Sequence, residues 1–330
     1  MTAPNEPTEP RVKRPISRRD FIKALSASAV AGGVLATAFK GYLLTPSQKE
    51  EYTEALADTM GKLPKRRFGT RMGKMEVTPI VMGQDWSSEL YAAGLAAGIN
   101  YVHKAGYWRR LPEEFAKVKR ESIIMEVCVD STPDNPDDEE GAYRQVTTAL
   151  ERTGLKYFDI FKAHYGWKTV KEMKEKRGTY RAFERLKKEG KVKYFGVSQH
   201  EYIPYPEIIA AQIEAGEIDS IQLFFTYGAP QATVDILEKA HNAGIGIMAM
   251  KVFATGSRKM AANPARMTAL RSSGKVGRAC YRHVLELRGK NGKPIVDCAV
   301  TNVRNFDQFE ENIGAVALKT TALDGYDFIA

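Results

Sequence analysis

Cysteine is scarce in this 330-residue chain: only Cys128, Cys280 and Cys298, with no Cys-x-x-Cys pair. An odd count without paired spacing excludes a disulfide framework and leaves room for one bridge at most. No Gly-x-Gly-x-x-Gly follows the first apolar segment, which argues against a doubly wound dinucleotide-binding sheet. There is no basic stripe with interleaved aromatics, so the net charge of +9 does not indicate nucleic acid. The run Lys171 to Lys176 alternates sign like a solvated helix face. Internal repeats and low-complexity tracts are absent, and beyond the N-terminal leader no stretch is apolar and long enough to span a bilayer.

What is present begins with that leader. Arg11, Lys13, Arg14, Arg18, Arg19 and Lys23 precede an uncharged Ala/Gly/Val-rich run, Ala24 to Phe39, and Ala36-Thr37-Ala38 offers a small-x-small cleavage site. The order Ser-Arg-Arg-x-Phe-Ile-Lys at Ser17–Lys23 resembles a twin-arginine export signal, which implies transit through the twin-arginine translocase in a folded state and a periplasmic or otherwise exported destination. The run stops at Lys40, short of the roughly 20 residues a spanning helix needs. This favours removal of residues 1–38 over a retained membrane anchor. Residues 39–65, polar and holding Pro46 and Pro64, read as a linker with one short helix. The remainder stays mildly basic, which suits anionic lipid or small anionic ligands.

From Arg67 onward, short apolar runs alternate with helical-period stretches. The predicted strands are Val77–Met82, Asn100–Ala105, Ser122–Val129, Tyr157–His164, Lys193–Gln199, Ser220–Thr226, Gly246–Phe253 and Pro294–Thr301. Between most of them fall predicted helices at Glu139–Thr153, Lys171–Lys188, Pro206–Ala215, Ala232–Asn242 and Phe306–Val316, several ending at a glycine: Gly98, Gly154, Gly190, Gly216, Gly244. Eight strands alternating with helices over residues 66–330 predict an α/β fold, a (β/α)8 TIM barrel, with "RFGTRMGKMEV" as a hairpin ahead of it. Such a barrel keeps its site at the C-terminal strand ends. The residues that close the apolar runs are His103 with Tyr107, Cys128, His164, Ser198 with Gln199 and His200, Gln222, and Lys251.

Those segments resemble the aldo-keto reductase superfamily. "GINYVHKAGYW" is similar to its second strand and loop, "LKYFDIFKAHYGW" to its fourth strand, "KVKYFGVSQH" to its fifth and "AGIGIMAMKVF" to its seventh. "VTNVRNFDQFEENI" is similar to the segment that grips the adenosine phosphate. The resemblance implies NADP(H), a small carbonyl compound or alcohol as substrate, and a tetrad of tyrosine, histidine, lysine and aspartate. Tyr107 falls on the tyrosine, as acid, and His164 on the substrate-orienting histidine. The aspartate position holds His103, and the lysine position holds Cys128.

Three readings of that substitution stay open. Loss of both charges leaves an emptied, uncharged pocket, which avoids a lone buried carboxylate. His103, Cys128 and His164, with His200 close by, could instead converge on a soft metal. A third option has His103 activating Cys128 as a thiolate. The resemblance carries cofactor contacts more fully: Ser198, Gln199 and Gln222 for the carboxamide, Met250 for stacking, and Lys251, Arg304, Asn305, Glu311 and Asn312 for phosphate and adenine. Trp86 and Trp108 could line the mouth. The expectation is an exported oxidoreductase with altered or weakened carbonyl reduction, the alternative an inactive barrel serving as a binding or structural subunit.

Overall fold

The structure is a computed structural model that describes residues 63–130, 135–164, 167–199, 205–253 and 276–316. The leader, nearly all of the linker and His200 lie outside the described residues. Leu63, at the linker's end, is buried, and its amide donates to Ala97 O at 3.0 Å.

A two-stranded antiparallel hairpin comes first, β1 (Arg66–Arg67) with β2 (Glu76–Val77). The predicted strand Val77–Met82 is split, because Pro79 lacks an amide donor and separates β2 from β3 (Ile80–Met82). The following strands are β4 (Tyr101–Val102), β5 (Ile124–Val129), β6 (Phe158–Ala163), β7 (Val192–Gln199), β8 (Ser220–Phe224), β9 (Gly246–Met250) and β10 (Cys298–Thr301). They form a closed parallel barrel in the order β10-β3-β4-β5-β6-β7-β8-β9. Helices between them include α1 (Ser88–Ala96), α2 (Glu113–Ala116), α3 (Glu139–Thr153), α4 (Val170–Glu175) and α5 (Gly178–Lys188). Then come α6 (Tyr205–Ala215), α7 (Gln231–Asn242), α8 (Val276–Leu285) and α9 (Phe306–Ile313).

All eight predicted barrel strands are found. The single predicted helix Lys171–Lys188 is two, α4 and α5. Asp137 accepts from the amides of Arg177 and Gly178 at 3.0 and 2.8 Å, which caps α5 where the continuous helix would run. Among the described residues no helix is long and apolar enough to cross a membrane.

The hairpin seals the N-terminal end of the barrel. Arg71 donates to Ala243 O at 3.0 Å and Ile218 O at 2.9 Å, in the loops that feed β9 and β8. Phe68, Met72 and Val77 join Val81, Tyr101, Ile124, Ile160, Met248 and Cys298 in one buried apolar floor. The polar residues of the interior therefore stand between this floor and the opposite, C-terminal mouth.

Candidate active site

Alternate residues of a strand share a face. On and just past β5 those residues are Glu126, Cys128 and Asp130; on and just past β6 they are Lys162 and His164. β4 leads into His103, and a 3-10 turn, Ala105–Tyr107, brings Tyr107 to the rim. This turn packs close on β5: a Cβ at Gly106 would lie 2.5 Å from Val127 Cγ2. Lys104 takes a left-handed conformation (φ 58°) to turn the chain between His103 and Tyr107, an uncommon state for a residue with a side chain.

Two carboxylates organise the site, each on one imidazole. Glu126, with no solvent exposure, is the inner one. Its Oε2 accepts from Tyr101 OH at 2.5 Å and from Lys162 Nζ. Its Oε1 pairs with His103 Nδ1 and lies 3.5 Å from the Cys128 thiol. Lys162 also donates to Gln222 Oε1 at 2.9 Å, and Gln222 Nε2 lies 3.5 Å from His103 Nε2 and 3.6 Å from Met250 Sδ. Asp130 is the outer carboxylate, half exposed, its Oδ1 on His164 Nδ1 and its Oδ2 accepting from Tyr107 OH.

Burial alone would push the Glu126 carboxyl up, but Lys162 and His103 outweigh it and hold it well below the usual glutamate range. Burial pushes His103 down, more strongly than Glu126 pulls it up. His103 is thus neutral near pH 7, and an ionised Glu126 assigns its proton to Nδ1, which leaves Nε2 as acceptor. Asp130 is likewise lowered: burial opposes this, and the contacts from His164 and Tyr107 prevail. Tyr107 is raised, by burial first and then by Asp130, which accepts its one proton.

The expectation of an uncharged, emptied pocket is corrected here. A buried ion pair is present, with its lysine on β6 instead of at the Cys128 position on β5. His103, Cys128 and His164 do not converge: His103 and Cys128 share Glu126, while His164 turns to Asp130. A nucleophilic Cys128 is also corrected, since burial and then Glu126 raise its thiol well above the ordinary range. His103, Glu126 and Cys128 each offer a ligand atom within 4.8 Å of the others. The Lys162 ammonium on the same carboxylate opposes a dication there. All three cysteines are buried and free, so no bridge forms.

Of the cofactor candidates, Ser198 and Gln199 close β7 and are buried. Among the described residues neither amide atom of buried Gln199 has a hydrogen-bond partner, and a carboxamide offers the matching donor and acceptor. Gln222 is instead committed to Lys162, and Met250 closes β9 beside it. Lys251 follows in a left-handed conformation (φ 57°), exposed. Arg304 and Asn305 are exposed at the start of α9, where Asn305 caps the helix by accepting from Gln308 N at 2.9 Å. Glu311 accepts from Gly277 N at 2.6 Å and so caps α8, and Asn312 beside it is buried. Trp86 and Trp108 do not line the mouth. Both are buried and pack on Tyr91, with ring centroids at 6.1 and 5.6 Å.

Sequence reasoning missed Glu126, Lys162, Asp130 and Tyr101. The signal was available: Glu126 is the lone charge of its apolar strand and Lys162 one of two in the next, two residues before Cys128 and His164 and hence on their face.

A parallel barrel with polar groups gathered at its C-terminal mouth is the layout of a (β/α)8-barrel enzyme. The sequence profile of the Aldo/keto reductase family matches residues 82–325, and the chain belongs to that family. Among solved structures it is similar to a Pseudomonas aeruginosa protein described as an aldo-keto reductase, at 19% identity and a TM-score of 0.56, over 77% of this chain and 96% of that one. It is also similar to an aldo-keto reductase from Bacillus halodurans in its holo form, at 20% identity and a TM-score of 0.56, over 78% and 91% of the two chains. At these identities the likeness speaks for the fold. No curated protein matches the sequence.

Proposed function

We propose that the protein is an NADP(H)-linked oxidoreductase in which His103, rather than Tyr107, handles the substrate proton. The family generally uses this cofactor. Ser198 and Gln199 would take its carboxamide, Met250 its ring face, and Lys251, Arg304, Asn305 and Asn312 its phosphate and adenine. When bound, the nicotinamide supplies hydride transfer. The observation that carries the reading is the inner dyad: a neutral imidazole with Nδ1 fixed on Glu126, whose charge Lys162 balances. Nε2 then accepts the hydroxyl proton of an alcohol as its carbon gives up hydride, and returns it in the reverse direction. Tyr107 is a poor donor because Asp130 already holds its proton, so ordinary carbonyl reduction in this tetrad's manner is weakened.

The test is nicotinamide binding by the purified chain, followed by turnover of variants with small alcohols and aldehydes. His103→Gln is expected to lower kcat about 10²–10⁴-fold, the usual worth of a general acid–base group, and Tyr107→Phe less than about tenfold. The acid limb of kcat/KM should fall below the ordinary histidine range, since His103 is depressed. A larger loss in Tyr107→Phe than in His103→Gln would return the proton to the tyrosine.

A second reading, a catalytically inactive barrel that binds or scaffolds, is favoured by Tyr107's committed proton and by Cys128 at the lysine position. Failure of the full chain to bind NADPH would select it.

We further infer export through the twin-arginine translocase with the barrel already folded and its cofactor loaded, since the periplasm would not resupply a nicotinamide dinucleotide. The support is the leader's arginine pair. Replacing Arg18 and Arg19 by lysine is expected to hold the precursor in the cytoplasm, and unchanged export would remove the inference.

A further inference from the structure

A cleft of about 580 Å3 opens beside the rim, between the turn that carries Tyr107 and one face of α3. Gly106 and Tyr107 form one wall. The other is built from Arg144, Gln145, Thr148 and Arg152, which recur at helical spacing along α3. This helix carries three carboxylates, Glu139, Glu140 and Glu151, of which Glu151 is exposed and does not line the cleft. Glu139 and Glu140, in its first turn, pair across to α5 with Arg181 and Arg185 at 2.8 and 2.7 Å. Arg144 and Arg152 have no carboxylate partner among the described residues. Arg152 is steered by a neutral group, donating to Gly106 O at 2.9 Å. Gln145 accepts from Asp130 N at 2.9 Å and so joins the helix face to the outer carboxylate of the site.

Eight residues of helix rise about 12 Å, so Arg144 and Arg152 stand at two ends of one cleft wall. The arginines of the neighbouring α5, Arg181 and Arg185, each have a carboxylate partner. Thr148, between the two, adds a hydroxyl donor. Guanidinium forks match the planar oxygens of a carboxylate or the tetrahedral oxygens of a phosphate. The cleft is also lined by Tyr107, Cys128 and Asp130, which belong to the site itself.

We propose that this cleft is an anion subsite of the substrate pocket: Arg144, Thr148 and Arg152 hold a carboxylate or phosphate group of the substrate while its reacting carbon lies in the mouth. The substrate class is therefore an anionic alcohol or carbonyl compound. The proposal deepens the oxidoreductase reading and rests on it for the word substrate, although anion binding itself does not depend on it. The subsite is separate from the cofactor's phosphate-binding residues at the start of α9, which follow β10, three strands from β5 around the barrel.

Calorimetric titration of the full chain with inorganic phosphate and with succinate tests it. Both anions are expected to bind saturably, and Arg144→Glu or Arg152→Glu to weaken them about tenfold or more, the scale of a charge-assisted hydrogen bond. Thr148→Glu, at an exposed position, places a carboxylate in the cleft without disturbing the arginines and should do the same. Lys290→Glu, on a distant exposed turn, should have no effect. NADPH affinity should be unchanged in all four. Absence of anion binding, or binding indifferent to the α3 variants, overturns the subsite. Anion binding that needs Arg144 and Arg152 in a protein that takes up no NADPH keeps the subsite and removes the oxidoreductase reading.

Discussion

At the scale of single residues, Glu126 is the group on which the interior depends. It accepts from Tyr101 and Lys162, pairs with His103, and has no solvent to share its charge. Removing one partner of such a buried pair strands the other, at a cost of about 3–5 kcal/mol. Lys162→Met is therefore expected to destabilise the fold by that amount, and adding Glu126→Gln should recover most of it. Chemical denaturation of the single and double variants measures this; a double variant no better than Lys162→Met would mean that the ion pair is not what binds the two residues together. The outer members of the site, Tyr107 and His164, were legible in the sequence because each lies just past a strand end within a recognisable segment. The inner pair was not, because the family resemblance directed attention to the Cys128 position and away from the strand beside it. A residue-by-residue transfer asks only about matched positions; the face shared by alternate strand positions shows Glu126 and Lys162 as well.

Elements were easier to read than their joints. Gly98, Gly154, Gly190, Gly216 and Gly244 all hold positive φ after the helices they were expected to end. Periodicity alone could not divide Lys171–Lys188, because the break is set by a distant side chain, Asp137. The division is tight: a Cβ on Gly178 would lie 2.0 Å from the carbonyl oxygen of Asp137, a backbone atom that cannot swing aside. Gly178→Ala is thus expected to cost about 1–3 kcal/mol, as overpacking does, whereas Gly154→Ala meets no atom within 4 Å and suffers only from its left-handed φ of 69°. Thermal melts of the two variants compare steric with conformational strain. If Gly178→Ala were neutral, the α4–α5 junction would have to be looser than drawn.

For the whole molecule, buried ionisable groups set a pH window. Glu126, lowered in the fold, contributes stability present above the ordinary glutamate range and lost as pH falls. His103, also lowered, contributes stability that is complete above the ordinary histidine range and declines as acid protonates the unfolded chain. Asp297 acts in the opposite direction. It accepts from Ile247 N at 2.8 Å and is pushed by burial up to about 7. Its folded value exceeds its unfolded one, so its contribution is present below the ordinary aspartate range and is lost as pH rises through about 7. Asp297→Asn keeps an acceptor for Ile247 without the charge. Its melting temperature relative to the parent should rise between about pH 5 and about pH 8; a difference that does not change with pH would show that Asp297 ionises without penalty.

The apolar floor has one more effect on this chemistry. Phe68 and Met72 close the barrel beneath Tyr101, and the Lys162–Glu126 pair sits directly above. Among the described residues this floor closes the lower end, so the direct way in for water, and any isotope dissolved in it, is from the mouth past His103. Whatever occupies that opening therefore also sets the rate at which the deepest exchangeable hydrogens are replaced, so a ligand bound at the top would be registered at the bottom as a change in timing, with no atom there needing to move.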